Sequence, residues 1–338
     1  MKIIEITRVG DPSVLKLKKI AEAPLLQNQL KISVKASGIN FADIVSRQGL
    51  YGDAPSPPCV VGYEVSGIVL EVGNEISTNW IGKEVFCLTK FGGYADTVFV
   101  FPWQVFEKPT RLSFSQAAGI PVNYLTAYIL IVVMGALKKN ETILIQNAGG
   151  GVGLAAIQIA KHLGAKTIGT ASSWKHERLE KWGLDHVVDY RKSNWDKEIL
   201  QFTNNKGVDL IIDPLGPRSW KKSIPLLGNY GRLGLFGISE MSSNSFFKFF
   251  GVLKTLINMP WFHPLGLINK NRGIFGLNMG HLVNEPDKVQ KFGLEIIKGV
   301  DEGWIMPHID REFKFSQAAE AHQYIEERKN FGKVILVP

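Results

Sequence analysis

Short apolar runs alternate with helical patterns through the middle of the 338-residue chain. Continuous apolar runs of this length are typical of strands that are buried on both faces of a parallel sheet. Segments between them carry helix-like spacing, as in Leu154–Lys161. The pattern therefore predicts right-handed βαβ units that share one parallel sheet. The predicted strands are residues 142–145, 166–171, 186–189, 208–214, 232–237 and 274–279.

The first third of the chain and its last residues show a different pattern. Strand-like runs such as Leu30–Lys35 and Val65–Val72 are interrupted by Gly, Pro and Asn at close intervals, and a similar run, Lys333–Val337, closes the chain. Interrupted strands of this kind indicate a barrel or a strongly bent sheet. The length also favours two domains, with the parallel-sheet domain inserted into the β-rich one. The predicted domains are residues 1–122 with 284–338, and residues 123–283.

A glycine-rich stretch, Gln146–Gly153, separates the first predicted strand of the parallel sheet from its helix. Strand, glycine turn and helix in this order suit a dinucleotide, because glycine lets the backbone approach a pyrophosphate and the helix N-terminus provides free N–H groups. We therefore expect Gly150, Gly151, Val152 and Gly153 to bind a cofactor. The spacing departs from G-x-G-x-x-G, so an ordinary tight βα turn stays open as an alternative.

The end of the second predicted strand carries hydroxyl groups and a lysine instead of an acid. A site for NAD usually places Asp or Glu there to hold the ribose 2′-hydroxyl. Here Ser172, Ser173 and Lys175 precede the first acid, Glu177. These side chains could bind a 2′-phosphate by charge-assisted hydrogen bonds, and Tyr190 could add its ring to the adenine or its hydroxyl to the phosphate. The pattern favours NADPH, although each residue singly could be a helix cap or a solvated side chain.

Composition and charge narrow the classes of partner. The chain has 39 Lys and Arg against 31 Asp and Glu, a formal net charge of +8, but its basic residues are dispersed and no nucleic-acid reader motif is present. We therefore expect no nucleic-acid partner. Only Cys59 and Cys87 occur, far apart, which indicates a reducing compartment or simply two buried small hydrophobes. The N-terminus lacks the apolar h-region of a signal peptide, so we expect a cytoplasmic protein.

One segment, Phe246–Ile257, differs from a plain Rossmann pattern. Four phenylalanines fall within its first five positions, with lysines interleaved. This spacing suits an amphipathic helix, but the segment is too short and too broken to span a bilayer. It could pack over a cofactor cleft, form a dimer interface or touch a membrane peripherally, which the net positive charge would favour at an anionic surface.

Several long, ordered stretches also carry a family resemblance. They are Ala36–Asp43, Arg47–Tyr51, Val61–Val69, Val122–Tyr128, the glycine-rich stretch and Gly332–Leu336. Together they resemble the medium-chain dehydrogenase/reductase superfamily, in its zinc-independent quinone oxidoreductase branch. Four further stretches are most similar to the vesicle amine transport protein group within that branch. These are Ser173–Glu177, Asp213–Gly216, Pro307–Asp310 and Lys329–Lys333.

The resemblance implies an α/β fold in which a doubly wound Rossmann sheet is inserted into a β-rich, GroES-like barrel domain. It also implies a homodimer, formed by pairing of the last Rossmann strand. Zinc-dependent members of the superfamily carry a cysteine where Asn40 stands and a histidine where Tyr63 stands. Their structural zinc lobe needs four closely spaced cysteines, so we expect neither a catalytic nor a structural zinc here.

The resemblance further implies a reaction and a site. Without a Lewis acid, a conjugated carbonyl or a quinone is a more accessible hydride acceptor than a simple ketone, which predicts an NADPH-dependent reductase of quinones or α,β-unsaturated carbonyls. The nicotinamide would lie in the cleft between the domains, near Asn40, Tyr51, Tyr63, Asn123 and Thr126. Asn40 could donate to the carboxamide or the substrate carbonyl, and either tyrosine to a developing enolate. A core role for Tyr63 and proton delivery from water stay open.

The remaining cofactor-binding residues follow from the ends of the later strands and from the C-terminal motif. They are Leu215, Phe236, Gly237, Phe275, Leu277, Asn330 and Lys333. The competing hypothesis is a membrane-associated, lipid-handling protein that retains this fold with little turnover. The segment Phe246–Ile257 is the feature that would separate the two functions.

Overall fold

The computed structural model describes residues 1–239 and 258–338. These residues form two compact units, the first comprising Met1–Leu125 and Met279–Pro338 and the second comprising Thr126–Asn278. Residues 123–125 and 279–283, predicted to lie in the parallel-sheet domain, therefore belong to the first unit. The segment Phe246–Ile257, predicted to be amphipathic, lies outside the described residues. No helix in the described part of the chain has the length and apolar character to cross a bilayer.

The first unit is built mainly from β-strands. Strands β1 (Lys2–Ile6) and β2 (Leu15–Lys19) form an antiparallel pair. Seven other strands form one mixed sheet in the order β14-β15-β3-β4-β5-β7, with β6 also paired to β3. They are β3 (Leu30–Ile39), β4 (Glu64–Val72), β5 (Glu84–Leu88), β6 (Thr97–Val100), β7 (Val105–Glu107), β14 (Ile309–Lys314) and β15 (Lys333–Val337).

This sheet is bent and open, which corrects the expectation of a barrel. Two strands pair with successive parts of one edge of β3. Strand β6 pairs with Leu30–Ser33, and β15 pairs with Ser37–Ile39. The ladder between β3 and β4 shifts register twice, and such irregularities bend a strand locally. Within residues 1–125 and 279–338, the end strands β14 and β7 do not pair with each other. The hydrogen bonding therefore follows the bent-sheet alternative.

Five helices accompany the first unit. Asn40 directly precedes α1 (Phe41–Arg47), which ends at Arg47, and α10 (Ala318–Glu326) ends at Glu326. Helix α3 continues beyond the end of the unit and is extended by a π-helical turn, Ile129–Met134. The five are α1 (Phe41–Arg47), α2 (Phe114–Ala118), α3 (Pro121–Tyr128), α9 (Pro286–Asp301) and α10 (Ala318–Glu326).

The second unit contains a six-stranded sheet whose neighbouring strands are all parallel. Its order is β10-β9-β8-β11-β12-β13, so the chain runs outward from β8 in one direction and then outward from β11 in the other. This is the Rossmann order, and ligands of such sheets bind beyond the carboxyl ends of the strands at the reversal. The strands are β8 (Thr142–Ile145), β9 (Lys166–Ala171), β10 (His186–Asp189), β11 (Val208–Asp213), β12 (Leu227–Leu235) and β13 (Gly273–Gly276).

The bounds of β8, β9 and β10 agree with the prediction, whereas β12 begins at Leu227, five residues before the predicted start at Arg232. Gly228 and Asn229 look like turn residues, and Tyr230 has a φ of 62°. The register between β11 and β12 shifts at this point, so the extra residues enter the sheet as an irregularity. Turn-forming residues therefore concealed the start of a strand.

Helices cover this sheet and complete the βαβ units. Helix α4 begins at Gly151, so the last three residues of the glycine-rich stretch form its first turn. Buried apolar side chains such as Leu144, Ile168 and Ile211 form the core beneath the helices. The helices are α4 (Gly151–His162), α5 (His176–Lys181), α6 (Trp195–Phe202), α7 (Pro217–Ser223) and α8 (Pro264–Ile268).

Candidate functional site

The glycine turn lies at the carboxyl end of β8, next to the strand-order reversal between β8 and β11. Gly153 is required there for close packing, since a Cβ at this position would lie 2.4 Å from the carbonyl oxygen of Ala148. Gly150 precedes the first turn of α4, a 12-residue helix that is long enough to present an N-terminal dipole. The backbone arrangement fits a pyrophosphate.

Buried side chains hold this turn in place. The Gln146 side chain accepts a hydrogen bond from Thr170 Oγ1 at 2.7 Å and donates through Nε2 to Ser223 Oγ at 3.1 Å. The backbone N–H of Asn147 donates to Thr170 Oγ1 at 3.2 Å. The turn is thereby tied to β9 and to α7. Its conformation is set by the protein itself.

The predicted phosphate-binding side chains follow β9 and lie beside the glycine turn. Lys175 is buried, its Nζ lies 5.0 Å from the centre of the Trp174 ring, and a Cβ at Gly149 would lie 3.6 Å from that Nζ. Ser172 is half-buried and Ser173 is exposed. The structure thus brings a cation and two hydroxyl groups to the same strand end as the glycines.

Arg191 is a member of this group that the sequence reasoning missed. Its Nη2 donates to Ser173 Oγ at 2.7 Å and to Asp189 Oδ2 at 2.6 Å. Hydrogen bonds from Arg191 hold the pKa of Asp189 below its usual value. The available signal was a basic residue directly after Tyr190, which is half-buried in the structure. Arginine suits phosphate because its planar guanidinium can donate two parallel hydrogen bonds.

The other predicted cofactor residues of this unit lie at or just past the carboxyl ends of the last three strands. The buried Asp213 side chain fixes the end of β11, since it accepts from the backbone N–H of Leu215 at 2.9 Å and from Ser219 Oγ at 2.6 Å. Leu277 donates its N–H to the Leu235 carbonyl at 2.8 Å. The residues concerned are Leu215, Phe236, Gly237, Phe275 and Leu277.

In the first unit, three buried polar side chains contact one another, and Asn40 is one of them. Lys333 Nζ donates to Asn40 Oδ1 at 2.7 Å, and Asn40 Nδ2 donates to Glu64 Oε1 at 2.9 Å. Lys333 also forms an ion pair with Glu64, whose other oxygen accepts from the backbone N–H of Val122 at 2.7 Å. We call Asn40, Glu64 and Lys333 the amide triad. Glu64 was not among the predicted site residues, because its position at the start of an apolar strand gave no signal of a partner.

Asp43 fixes the backbone at Asn40 and at Gly62. Its fully buried carboxylate accepts from the N–H of Asn40 at 2.7 Å and from the N–H of Gly62 at 2.9 Å. Burial raises the pKa of Asp43 to about 7, although these two N–H groups and the charge of Lys333 lower it. One carboxylate therefore connects the start of α1 with the segment that leads to Tyr63.

The two predicted catalytic tyrosines of this unit contact each other. The Tyr51 and Tyr63 rings lie edge to face with centroids 6.3 Å apart, and Tyr63 also packs 5.2 Å from Phe91. The Tyr63 hydroxyl is buried beside Ser46 and Tyr51, and among the described residues it makes no hydrogen bond of normal geometry. Burial raises the pKa of Tyr63 well above 10, so this hydroxyl can donate a hydrogen bond but holds its proton.

The remaining predicted site residues lie on α3, along which the first unit ends at Leu125 and the second begins at Thr126, and in the loop before β15. Asn123 and Thr126 are both buried on α3, and their spacing of three residues puts them on one face of the helix. Asn330 Nδ2 donates to the carbonyl of Gly332 at 2.9 Å, which shapes the loop before Lys333. The structure thus places Asn330 next to the strand that contributes the amide triad.

Among residues 1–239 and 258–338, no three His, Cys, Asp or Glu side chains cluster closely enough to bind a metal ion. Cys59 and Cys87 are both free thiols, and burial raises the pKa of each.

The raised pKa of Asp43 predicts a pH dependence of stability. Because the folded-state pKa is about 7 and the ordinary pKa of an aspartate side chain is 3.8, the folded protein binds this proton more tightly, and the free energy of unfolding falls as the pH rises from 4 to 7. The full shift corresponds to about 4 kcal/mol. Asp43→Asn should remove this pH-dependent contribution. The free energy of unfolding of the variant, relative to that of wild type, should therefore rise between pH 4 and pH 7, although one backbone N–H loses its acceptor.

Denaturant titrations at pH 4, 5.5, 7 and 8 measure this difference. Asp301→Asn, which changes an exposed carboxylate, is the matched control. Parallel pH curves for wild type and Asp43→Asn would contradict the prediction.

Comparison with known families agrees with the division into two units. The family model described as "Alcohol dehydrogenase GroES-like domain" matches residues 26–110, and the model described as "Zinc-binding dehydrogenase" matches residues 151–295. The first range covers most of the bent sheet. The second begins at the first residue of α4.

Individual relatives match along the whole chain. The synaptic vesicle membrane protein VAT-1 homolog of Danio rerio is 34% identical over 337 residues, which is 99% of this chain and 69% of the relative. Human quinone oxidoreductase is 29% identical and covers 100% of this chain and 98% of its own length. The crystal structure of Escherichia coli quinone oxidoreductase complexed with NADPH superposes with a TM-score of 0.88 at 28% identity, over the full length of both chains. The chain therefore belongs to the medium-chain dehydrogenase/reductase superfamily, in the zinc-independent quinone oxidoreductase branch and near the VAT-1 proteins.

Proposed function

We propose that this protein is an NADPH-dependent oxidoreductase that reduces quinones or α,β-unsaturated carbonyl compounds without zinc. The observation that carries the proposal is the end of β9 beside the glycine turn, where Lys175 lies next to Gly149 and Arg191 donates to Ser173 Oγ. A 2′-phosphate could accept charge-assisted hydrogen bonds from these cations and hydroxyls, whereas NADH carries no phosphate at this position. The solved relative complexed with NADPH supports the same choice.

Bound NADPH would supply a hydride from C4 of its nicotinamide. The β-carbon of an enone substrate accepts this hydride, which is one proton with two electrons. The π pair of the C=C bond then shifts toward the carbonyl group and forms an enolate. Water then protonates the α-carbon, so the product is the saturated ketone. The protein has to hold the substrate, exclude water from the β-carbon and stabilise the oxygen that becomes negative.

Three side chains of the first unit are our candidates for these tasks. Asn40 can donate through its amide, and Tyr51 can donate through its hydroxyl. Tyr63 lies beside Tyr51 and retains its proton at neutral pH, so its contribution would be a hydrogen bond or the shape of the pocket wall.

Isotope transfer tests the reaction itself. The protein is incubated with [4-²H]NADPH, in separate reactions for the two C4 faces, and with 4-phenyl-3-buten-2-one. Mass spectrometry should find one deuterium on the β-carbon of 4-phenyl-2-butanone from one face only. The saturated ketone serves as the control and should not be reduced further. Deuterium on the carbonyl carbon, or no transfer to this enone together with no oxidation of NADPH by 9,10-phenanthrenequinone, would overturn the proposal.

A second candidate function, peripheral membrane association, rests on apolar side chains around α8. Trp261 is 98% exposed, Leu265 is 61% exposed and Ile268 is 67% exposed. They follow directly after the segment Phe246–Ile257, and the exposed Lys270 occurs next to them. Aromatic and aliphatic side chains beside basic ones suit the surface of an anionic bilayer.

Co-sedimentation with vesicles tests this second function. Binding to vesicles that contain phosphatidylserine should fall when Trp261, Leu265 and Ile268 are all replaced by serine, while Leu70→Ser, which alters an exposed leucine of the other unit, should leave it unchanged. Equal binding by all three proteins would contradict this function.

Two further predictions remain to be tested. A homodimer is compatible with the position of β13 at the edge of the parallel sheet, since pairing with a second copy would remove that edge. A cytoplasmic location remains a prediction from the sequence.

A further inference from the structure

The amide triad is buried almost completely. The exposed fraction is 8% for Asn40, 4% for Lys333 and 0% for Glu64. Four segments of the first unit meet at it, because Asn40 follows β3, Glu64 starts β4, Lys333 starts β15 and the Val122 N–H belongs to α3. A Cβ at Gly38 would lie 2.5 Å from Glu64 Oε1 and 2.7 Å from Lys333 Cε, so glycine is needed for this convergence.

The charges of the triad determine how the Asn40 amide is oriented. An ammonium has only donors and a carboxylate has only acceptors, so Oδ1 must face Lys333 and Nδ2 must face Glu64. One N–H of the amide is used in the contact with Glu64. The second N–H has no partner among residues 1–239 and 258–338.

A buried ion pair is a poor device for stability, because desolvation offsets most of the attraction. Here the ion pair between Lys333 and Glu64 polarises and orients the Asn40 amide. The Lys333 ammonium withdraws electron density through Oδ1, which strengthens the remaining N–H as a donor, and Glu64 cancels the charge and prevents the amide from rotating.

We propose that Glu64 and Lys333 are positioning residues that hold the Asn40 amide so that its remaining N–H donates to the substrate oxygen that becomes negative during hydride transfer. The inference rests on the proposed reductase function and assigns the oxyanion donor within it. Because Lys333 is buried, it then affects the substrate oxygen through Asn40.

Kinetics of four variants test the assignment. Asn40→Ala should lower kcat for enone reduction by about 10²- to 10³-fold, the usual effect of losing one oxyanion donor. Glu64→Gln should lower kcat to a similar extent while the Kd for NADPH changes less than about threefold, and Lys333→Met should lower kcat in the same way. In Asn40→Ala/Glu64→Gln the two losses should not multiply, because Glu64 acts through Asn40.

A stability cycle provides a readout that needs no turnover. Glu64→Gln and Lys333→Met should each lower Tm by at least about 5 °C, because each leaves a buried charge unpaired, and Glu64→Gln/Lys333→Met should lose less than the sum. The exposed pair Lys83–Glu107 of the same unit is the control, and Lys83→Met/Glu107→Gln should change neither Tm nor kcat.

The outcomes separate the two proposals. Wild-type protein without turnover on any enone or quinone overturns the reductase function and this inference with it. A folded Glu64→Gln protein with wild-type kcat, or losses that multiply in Asn40→Ala/Glu64→Gln, overturns the inference alone.

Discussion

Replacing Lys175 with glutamate raises the Kd for NADPH by at least about 100-fold and changes the Kd for NADH by less than about threefold. The 100-fold figure follows from about 3 kcal/mol, which combines the loss of one charge-assisted hydrogen bond with repulsion between the new carboxylate and a 2′-phosphate. Lys175 lies beside Gly149 at the phosphate end of the Rossmann sheet, so the effect is confined to the nucleotide that carries the extra phosphate. Fluorescence titrations of both nucleotides measure it.

Two variants control for charge and for folding. Lys181→Glu changes an exposed lysine of the same unit and should leave both dissociation constants unchanged. Arg191→Ala should weaken NADPH binding less than Lys175→Glu does, because Lys175 would still contact the phosphate. A loss of affinity that is equal for NADH and NADPH would show that Lys175 is a structural residue of the turn.

Replacing Arg47 with methionine lowers the free energy of unfolding by about 3–5 kcal/mol, which is the usual cost of leaving one partner of a buried ion pair alone. The Arg47 side chain is fully buried, and its Nη2 contacts Glu326 Oε1 at 2.6 Å while Nη1 donates to the carbonyl of Gly10 at 3.2 Å. The same carboxylate oxygen accepts from Gln48 Nε2 at 2.7 Å. The pair ties the last residue of α1 to the last residue of α10.

Chemical denaturation of three further variants tests this value. Arg47→Met/Glu326→Leu should recover part of the loss, because an apolar pair of similar volume replaces the buried charges. Lys18→Met breaks the pair that Lys18, with 47% of its side chain exposed, forms with Glu5 at the surface, and should cost less than about 1 kcal/mol. If Arg47→Met costs no more than Lys18→Met, the buried pair does not stabilise the fold.

The sequence predicted most of the Rossmann unit because its signals are local. Strands β8, β9 and β10 are short, mostly buried runs with apolar residues at their centres, and their observed bounds equal the predicted ones. The order of the sheet follows from right-handed crossovers between such runs. The barrel expectation was wrong because closure depends on which strands pair, and β3 divides one edge between β6 and β15.

The buried polar groups could not be predicted in this way. Arg47 and Glu326 are 279 residues apart in the chain, and Lys333 and Glu64 are 269 residues apart. Each of these charges resembles an ordinary surface residue when its own neighbours are the only context. Asn40 was found through a family motif, but the groups that orient it became visible only when β3, β4 and β15 were brought together.

Nucleotide binding followed by hydride transfer tests the central claim most directly. Purified protein is titrated with NADPH and, separately, with NADH, and the NADPH complex is then mixed with 9,10-phenanthrenequinone in a stopped-flow instrument. The account predicts tight binding of NADPH, much weaker binding of NADH and rapid loss of NADPH absorbance on mixing. Tight binding without oxidation would favour the membrane-associated function, and no binding of either nucleotide would contradict the assignment of a cofactor to this fold.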